Sequence, residues 1–260
     1  MRESALRRIW KEGGCVLNGW LQMPDAFTAE IMAHQGWDSL CIDTQHGMVD
    51  FQTAVTMLQA ISTTNVTPLA RVPWNDPGPI MKLLDAGAYG IICPMINTRA
   101  DAERLVATCR YSPVGFRSCG PTRVSFYAGS DYIAKANETV AVFAMIETAE
   151  AVANLDGILS TPGLDAIFIG PNDLAMSMSV SGGLIPSDPK VVQAIDQILA
   201  GCKRHGVKAG VHTGSVANAR AMMAKGFDFV TVLSDARILA AATQSLVADI
   251  RASGASAKQG

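Results

Sequence analysis

An α/β fold of the (β/α)8 TIM-barrel type, in a single domain, is what this sequence predicts, and three observations lead there. Short runs rich in Val, Ile, Leu and Cys recur eight times, separated by longer segments with helical spacing of their apolar residues. Most of these runs are apolar without alternation, as expected of parallel strands covered on both faces. No linker interrupts the series, and 260 residues suit one barrel of about 250. A doubly wound open sheet uses the same units, but eight of them are better satisfied by closure.

Taken in order, the strands are expected over 16–22, 39–44, 67–72, 90–95, 141–146, 166–170, 208–213 and 229–233. Helices are expected over 51–61, 79–86, 99–109, 149–159, 189–204, 216–225 and 235–252. Several have recognisable ends. Asp188-Pro189 fits an N-cap followed by proline at the first helical position, and Gly87, Gly206 and Gly226 stand where C-terminal glycines belong. Two stretches break the rhythm. Residues 111–138 carry Pro113, Gly115, Gly120, Pro121 and Gly129, and residues 176–187 are rich in Met, Ser and Gly. Long loops in barrels are often lids or subunit contacts. The barrel is expected to occupy residues 1–253, with a disordered tail over 254–260.

Hydrophobic residues make up 49% of the chain and charged residues 17%, enough apolar material for a large core. The formal net charge is -2, and Lys and Arg never run beyond pairs. That excludes the electrostatic footprint of a nucleic-acid or anionic-membrane binder and leaves small molecules as partners. The charged amino terminus lacks the pattern of a signal peptide, and no run of about 18 apolar residues occurs, so a cytoplasmic protein is expected. Six scattered cysteines without a CxxC pair read as buried free thiols.

Active sites of such barrels gather at the carboxyl ends of the strands, so polar residues just after each apolar run are the candidates. The second strand ends in Asp43-Thr44-Gln45-His46-Gly47, the third in Arg71, the fifth in Glu147 and the sixth in Gly170-Pro171-Asn172-Asp173. Glu147 and Asp173 each follow an apolar run, where a carboxylate is costly unless a cation or donor compensates it. Alone, Glu147 could be a helix N-terminal carboxylate stabilised by the dipole. As a pair the two suit a hard divalent cation such as Mg2+ or Mn2+, whereas structural zinc would call for clustered His and Cys. His46 could be a structural strand-end group, and Arg71 could pair with a loop carboxylate. Beside a metal they become a proton carrier and an anion-stabilising cation. Asp85 could orient His46, although a surface helix-end Asp would look the same. His34 and His205 sit at helix ends and receive no role. His212 faces the same mouth without an identified partner.

Five segments together carry a resemblance: Ile42 to Gly47, Ala70 to Asp76, Lys82 to Gly87, Ile146 to Ala151 and Phe168 to Leu174. The chain resembles the HpcH/HpaI family of class II pyruvate aldolases, the 4-hydroxy-2-oxoheptanedioate aldolase group. The resemblance implies a divalent metal (Mg2+, Mn2+ or Co2+) on Glu147 and Asp173, enolate stabilisation by Arg71, and proton relay by His46 assisted by Asp85. It implies substrate contacts at Gly170, Pro171, Asn172, Asp173 and Gln45, with Arg123 meeting a distal carboxylate or, equally, a neighbouring subunit. It also implies a homo-hexamer with an exchanged final helix, and a role in aromatic compound catabolism. Many members have Glu where this chain has Gln45, and an amide lacks the charge that helps hold a metal-bound water. The activity so implied is cleavage or formation of 4-hydroxy-2-oxo acids, giving pyruvate and an aldehyde. Two other readings keep the fold: a related lyase, decarboxylase or synthase acting on another 2-oxo acid or acyl thioester, and a non-catalytic small-molecule binder.

Overall fold

Each of the eight apolar runs forms a strand, and together they close into one parallel barrel in sequence order. The strands are β1 (Val16–Leu21), β2 (Ser39–Asp43), β3 (Thr67–Arg71), β4 (Gly90–Cys93), β5 (Ala141–Ile146), β6 (Ala166–Ile169), β7 (Lys208–Thr213) and β8 (Phe229–Val232). Pairing of β8 with β1, Val16 opposite Phe229, shuts the ring. This computed structural model describes residues 1–256.

The helices are α1 (Ala5–Lys11), α2 (Ala26–Ala33), α3 (Phe51–Ile61), α4 (Pro77–Ala86), α5 (Arg99–Cys109), α6 (Arg123–Ala128), α7 (Tyr132–Thr139), α8 (Ala149–Ala153), α9 (Leu155–Leu159), α10 (Pro171–Ser177), α11 (Pro189–His205), α12 (Val216–Lys225) and α13 (Asp235–Ser256). Side-chain caps set many starts: Asp50 accepts the Thr53 amide, Thr98 and Asp101 form a capping box, and Ser215 accepts the Asn218 amide. Gly87, Gly206 and Gly226 end α4, α11 and α12 at positive φ, as expected.

Four differences from the sequence reading have local causes. The charged amino terminus forms α1, capped by Ser4, which buries Leu6 and Trp10. The helix expected over 149–159 is two, because Asn154 leaves helical geometry and donates from Nδ2 to the Asn97 carbonyl at 2.9 Å. Residues 111–138 hold α6 and α7, so that stretch is only partly loop. At the end of the chain α13 runs through Ser256, into the segment expected as tail, and the remainder of that segment, 257–260, lies outside the described residues.

Two buried clusters flank the sheet. Inside the ring lie Val16, Trp20, Cys41, Leu69, Ile92, Phe143, Phe168 and Phe229, with Leu6 and Trp10 of α1 completing the cluster from below. Trp10 packs on Phe143 with ring centroids 5.6 Å apart and donates to the Asp228 carbonyl at 2.9 Å. The lower end of the barrel is therefore closed by a side-chain plug, and the opposite end remains for a site. The larger cluster lies between strands and helices. All six cysteines are free, as expected, although Cys119 is exposed and Cys15 only half-buried.

Candidate active site

The inward face of each strand repeats every second residue, and the site is the uppermost layer of that repeat. Two residues beyond inward-facing Cys41, Leu69, Met145 and Phe168 come Asp43, Arg71, Glu147 and Gly170. Asp43 and Arg71 face each other in register across β2 and β3. Their side chains form a two-point ion pair, Arg71 Nε donating to Asp43 Oδ1 at 2.9 Å and Nη2 to Oδ2 at 2.6 Å. Asp43 is fully buried and also accepts from Trp20 Nε1 at 3.1 Å, Gln22 Nε2 at 3.0 Å and the amides of Gln45 and His46 at 3.1 Å. Burial alone would raise this carboxyl, but the Arg71 fork and the other donors outweigh it and hold it at about 2. Arg71 also lies over the Trp20 ring, 4.9 Å from its centroid. The guanidinium is thus fixed along one edge and one face, with Nη1 left as the donor that has no protein partner among the described residues.

Glu147 is the opposite case. It is 3% exposed, and the hydrogen bond it accepts is from the Met95 amide, 2.8 Å from Oε1. Met95 reaches that position with a left-handed φ of 56°, a conformation unusual for a residue with a side chain. Burial, then the charge of nearby Asp173, pushes the Glu147 carboxyl up from 4.5 to about 7. Gly170 is what leaves room for the other oxygen: a Cβ there would stand 2.7 Å from Glu147 Oε2. Asp173 follows in the first turn of α10, a turn without a side-chain cap. Gln45 Oε1 is buried with no hydrogen-bond partner among the described residues. Two adjacent carboxylates, one of them under-solvated and in part unpaired, are a donor set that fits a hard cation. No three His, Cys, Asp or Glu side chains cluster in a metal-holding arrangement among the described residues. A cation here would take its remaining oxygens from ligand and water.

These groups open on a cavity of about 140 Å³ at the carboxyl ends of the strands, lined in part by Trp20, His46, Arg71, Asp173 and His212. Leu184, from the stretch 178–187, forms part of its wall. His212 meets Trp20 edge to face at 5.5 Å. Burial, then the positive charges of Arg71 and Arg237, push it down to about 4, so it is neutral at ordinary pH.

A match to the family model for the HpcH/HpaI aldolase/citrate lyase group spans residues 18–242. The chain belongs to that family. It is 47% identical over 247 residues to a hydroxypyruvate/pyruvate aldolase of Rhizorhabdus wittichii, covering 95% of this chain and 98% of the relative. It is 35% identical over 261 residues to a 4-hydroxy-2-oxo-heptane-1,7-dioate aldolase of Escherichia coli, covering 99% of each. The crystal structure of a family protein from Burkholderia cenocepacia superposes with a TM-score of 0.90 at 32% identity, over 96% of this chain and all of that one. The chain is accordingly an aldolase, a carbon–carbon lyase acting on small molecules.

Of the residues that the sequence nominated, the structure brings Glu147, Asp173, Arg71, His46, Gln45, Gly170, Pro171 and Asn172 to the one mouth. It does not bring Asp85 or Arg123 there within the chain. Asp85 stands near the carboxyl end of α4 and pairs with buried Arg117 at 2.6 Å, not with His46. Arg123 opens α6 and donates to the Ala86 carbonyl and, at 3.4 Å, to Ser62 Oγ. Both lie where helices return to the start of a strand, the end of the barrel away from the mouth. Four groups at the mouth had been given no role: Asp43, Trp20, Gln22 and Arg237. The inward repeat was the signal for the first two.

Proposed function

We propose that this aldolase depends on a divalent cation, Mg2+, Mn2+ or Co2+, held by Glu147 and Asp173, and joins pyruvate to an aldehyde or runs that reaction in reverse. The observation that carries the reading is the raised Glu147 carboxyl beside Asp173 and the cavity Arg71. Such a cation, when bound, supplies Lewis acidity toward the carboxylate and keto oxygens of a 2-oxo acid. The chain's own residues do the rest. The uncapped turn at Asn172 and Asp173 offers backbone amides to the substrate carboxylate. Arg71, held by Asp43 and Trp20, presents its free Nη1 where the keto oxygen gains negative charge. His46, exposed at the cavity rim, carries the proton. In the forward direction pyruvate C3 loses a proton, its electron pair forms the new bond to the aldehyde carbon, and the aldehyde oxygen takes up a proton. Cleavage reverses each step, and no electron acceptor is needed.

The names of the two relatives support 2-oxo acids as the substrate class, since they include pyruvate, hydroxypyruvate and a 4-hydroxy-2-oxo diacid. The proposal extends to a cytoplasmic homo-hexamer in aromatic compound catabolism. Support for assembly comes from α13, which exposes Leu239, Leu246, Val247 and Ile250. No helix among the described residues is long and apolar enough to cross a membrane.

The test is deuterium exchange at pyruvate C3 in D2O with each metal and with EDTA, which reads proton removal without requiring the aldehyde. Exchange with metal and none with EDTA is expected. Absence of exchange with every metal would overturn the proposal.

A further inference from the structure

Arg237 is a cation at the cavity without a side-chain partner among the described residues. It stands in the first turn of α13 and lines the same cavity as Arg71 and Asp173. Its side chain is exposed and has no hydrogen bond, ion pair or ring contact among the described residues. Two acids around the mouth are already committed. Asp235, two residues earlier, is 4% exposed, and its oxygens accept the amides of Gln22 at 2.9 Å, Met23 at 3.1 Å and Ala236 at 2.7 Å. Asp43 is saturated by Arg71 and four further donors. The same Asp235 bonds tie the start of α13 to the end of β1, so the backbone that carries Arg237 is fixed although its guanidinium is free. Other arginines without side-chain partners, Arg104 and Arg220, stand on helices outside the cavity.

The place of Arg237 around the ring indicates which part of a ligand it would meet. Glu147 and Asp173 follow β5 and β6, whereas Arg237 follows β8, two strands further round the ring from β6. His212 lies between, under the positive charge of both Arg71 and Arg237. The end of the substrate held at Glu147 and Asp173 is therefore not the end that reaches Arg237. An unpaired guanidinium in a cavity recognises an anion, planar carboxylate and phosphate best.

Resting on the aldolase reading above, we infer that Arg237 is a specificity-determining residue that selects acceptor aldehydes ending in an anion, carboxylate or phosphate.

The experiment compares kcat/KM for pyruvate addition to glyoxylate and succinic semialdehyde, to glyceraldehyde 3-phosphate, and to the neutral acetaldehyde and glycolaldehyde. It does so in wild type, Arg237→Gln and Arg237→Lys, with pyruvate C3 exchange measured alongside. The expected result is a fall of about tenfold to a hundredfold in the anionic-to-neutral ratio for Arg237→Gln, the range for one charge-assisted contact. Arg237→Lys should recover part of it. Comparison of the carboxylate and phosphate acceptors shows which anion the site takes. A ratio that stays constant in Arg237→Gln overturns the inference even where exchange proceeds. Absence of exchange in the wild type instead removes the aldolase reading on which it stands.

Discussion

Replacing Glu147 by Gln should make the metal-free protein more stable while abolishing its chemistry. In the fold the carboxyl is raised from 4.5 to about 7 by burial and by Asp173. The folded state therefore holds its proton more tightly than the unfolded state does. Stability is full below the unfolded value near 4.5 and is lost as pH rises toward and through 7. A carboxyl displaced from 4.5 to about 7 carries about 3 kcal/mol against its ionised form. Glutamine keeps an acceptor for the Met95 amide and removes the charge. At pH 8 in EDTA, Glu147→Gln should melt about 6–12 °C above wild type in calorimetry, at the roughly 2–4 °C per kcal/mol of a chain this size. At pH 5, where wild-type Glu147 is mostly protonated, most of the gain should vanish. Pyruvate exchange should be lost at both. An equal offset at the two pH values, or a lower melting point at pH 8, would refute the reasoning, since either outcome would mean that no charge penalty resides there.

Gly170→Ala places a methyl 2.7 Å from Glu147 Oε2, so metal affinity by calorimetric titration should fall at least about tenfold, with a stability cost of about 1–3 kcal/mol. Unchanged affinity would show that this oxygen is not a ligand. Asp43→Asn removes the charge that holds Arg71 by two donors. Breaking a buried pair costs about 3–5 kcal/mol, and a lower melting point with a reduced exchange rate is expected, read by calorimetry and by deuterium incorporation. His212 is lowered to about 4, so the unfolded state binds the proton first as pH falls below 6.5, and stability drops in that window. His212→Phe should retain the ring packing and remove that drop, raising the melting point at pH 5 relative to that at pH 8; a difference between the two pH values equal to that of wild type would contradict it.

The barrel was legible because eight apolar runs with intervening helical periods leave little else for the chain to build. Boundaries were less so. Ser4 as a cap and Trp10 as a plug are visible only once the ring has a lower end to be closed. Glu147, Asp173, Arg71 and His46 could be nominated as candidates from their places after strands. Asp85 and Arg123 stand elsewhere within the chain, since one ends a helix and the other lies between α5 and β5. Connections from helix to strand lie at the far end of a barrel, and strand order alone could have told them from the mouth. Asp43 was visible in its segment but carried no role, because a buried acid two residues past Cys41 acquires meaning only when Arg71 is seen in register with it. Arg237, in the first turn of α13, carried no signal in the sequence, because its place at the cavity depends on how that helix leaves β8.

The support of Glu147 by Met95 runs through the backbone. The amide at position 95, turned into place by a φ of 56°, holds one oxygen of the carboxylate, and any residue that accepts the turn can offer the same amide. Position 95 is therefore free to vary in side-chain chemistry while remaining bound in shape. Asn or Gly, which adopt that turn more readily, would serve Glu147 as well as Met does. Proline, which can neither adopt the turn nor offer the amide, would leave the carboxylate without its one donor among the described residues.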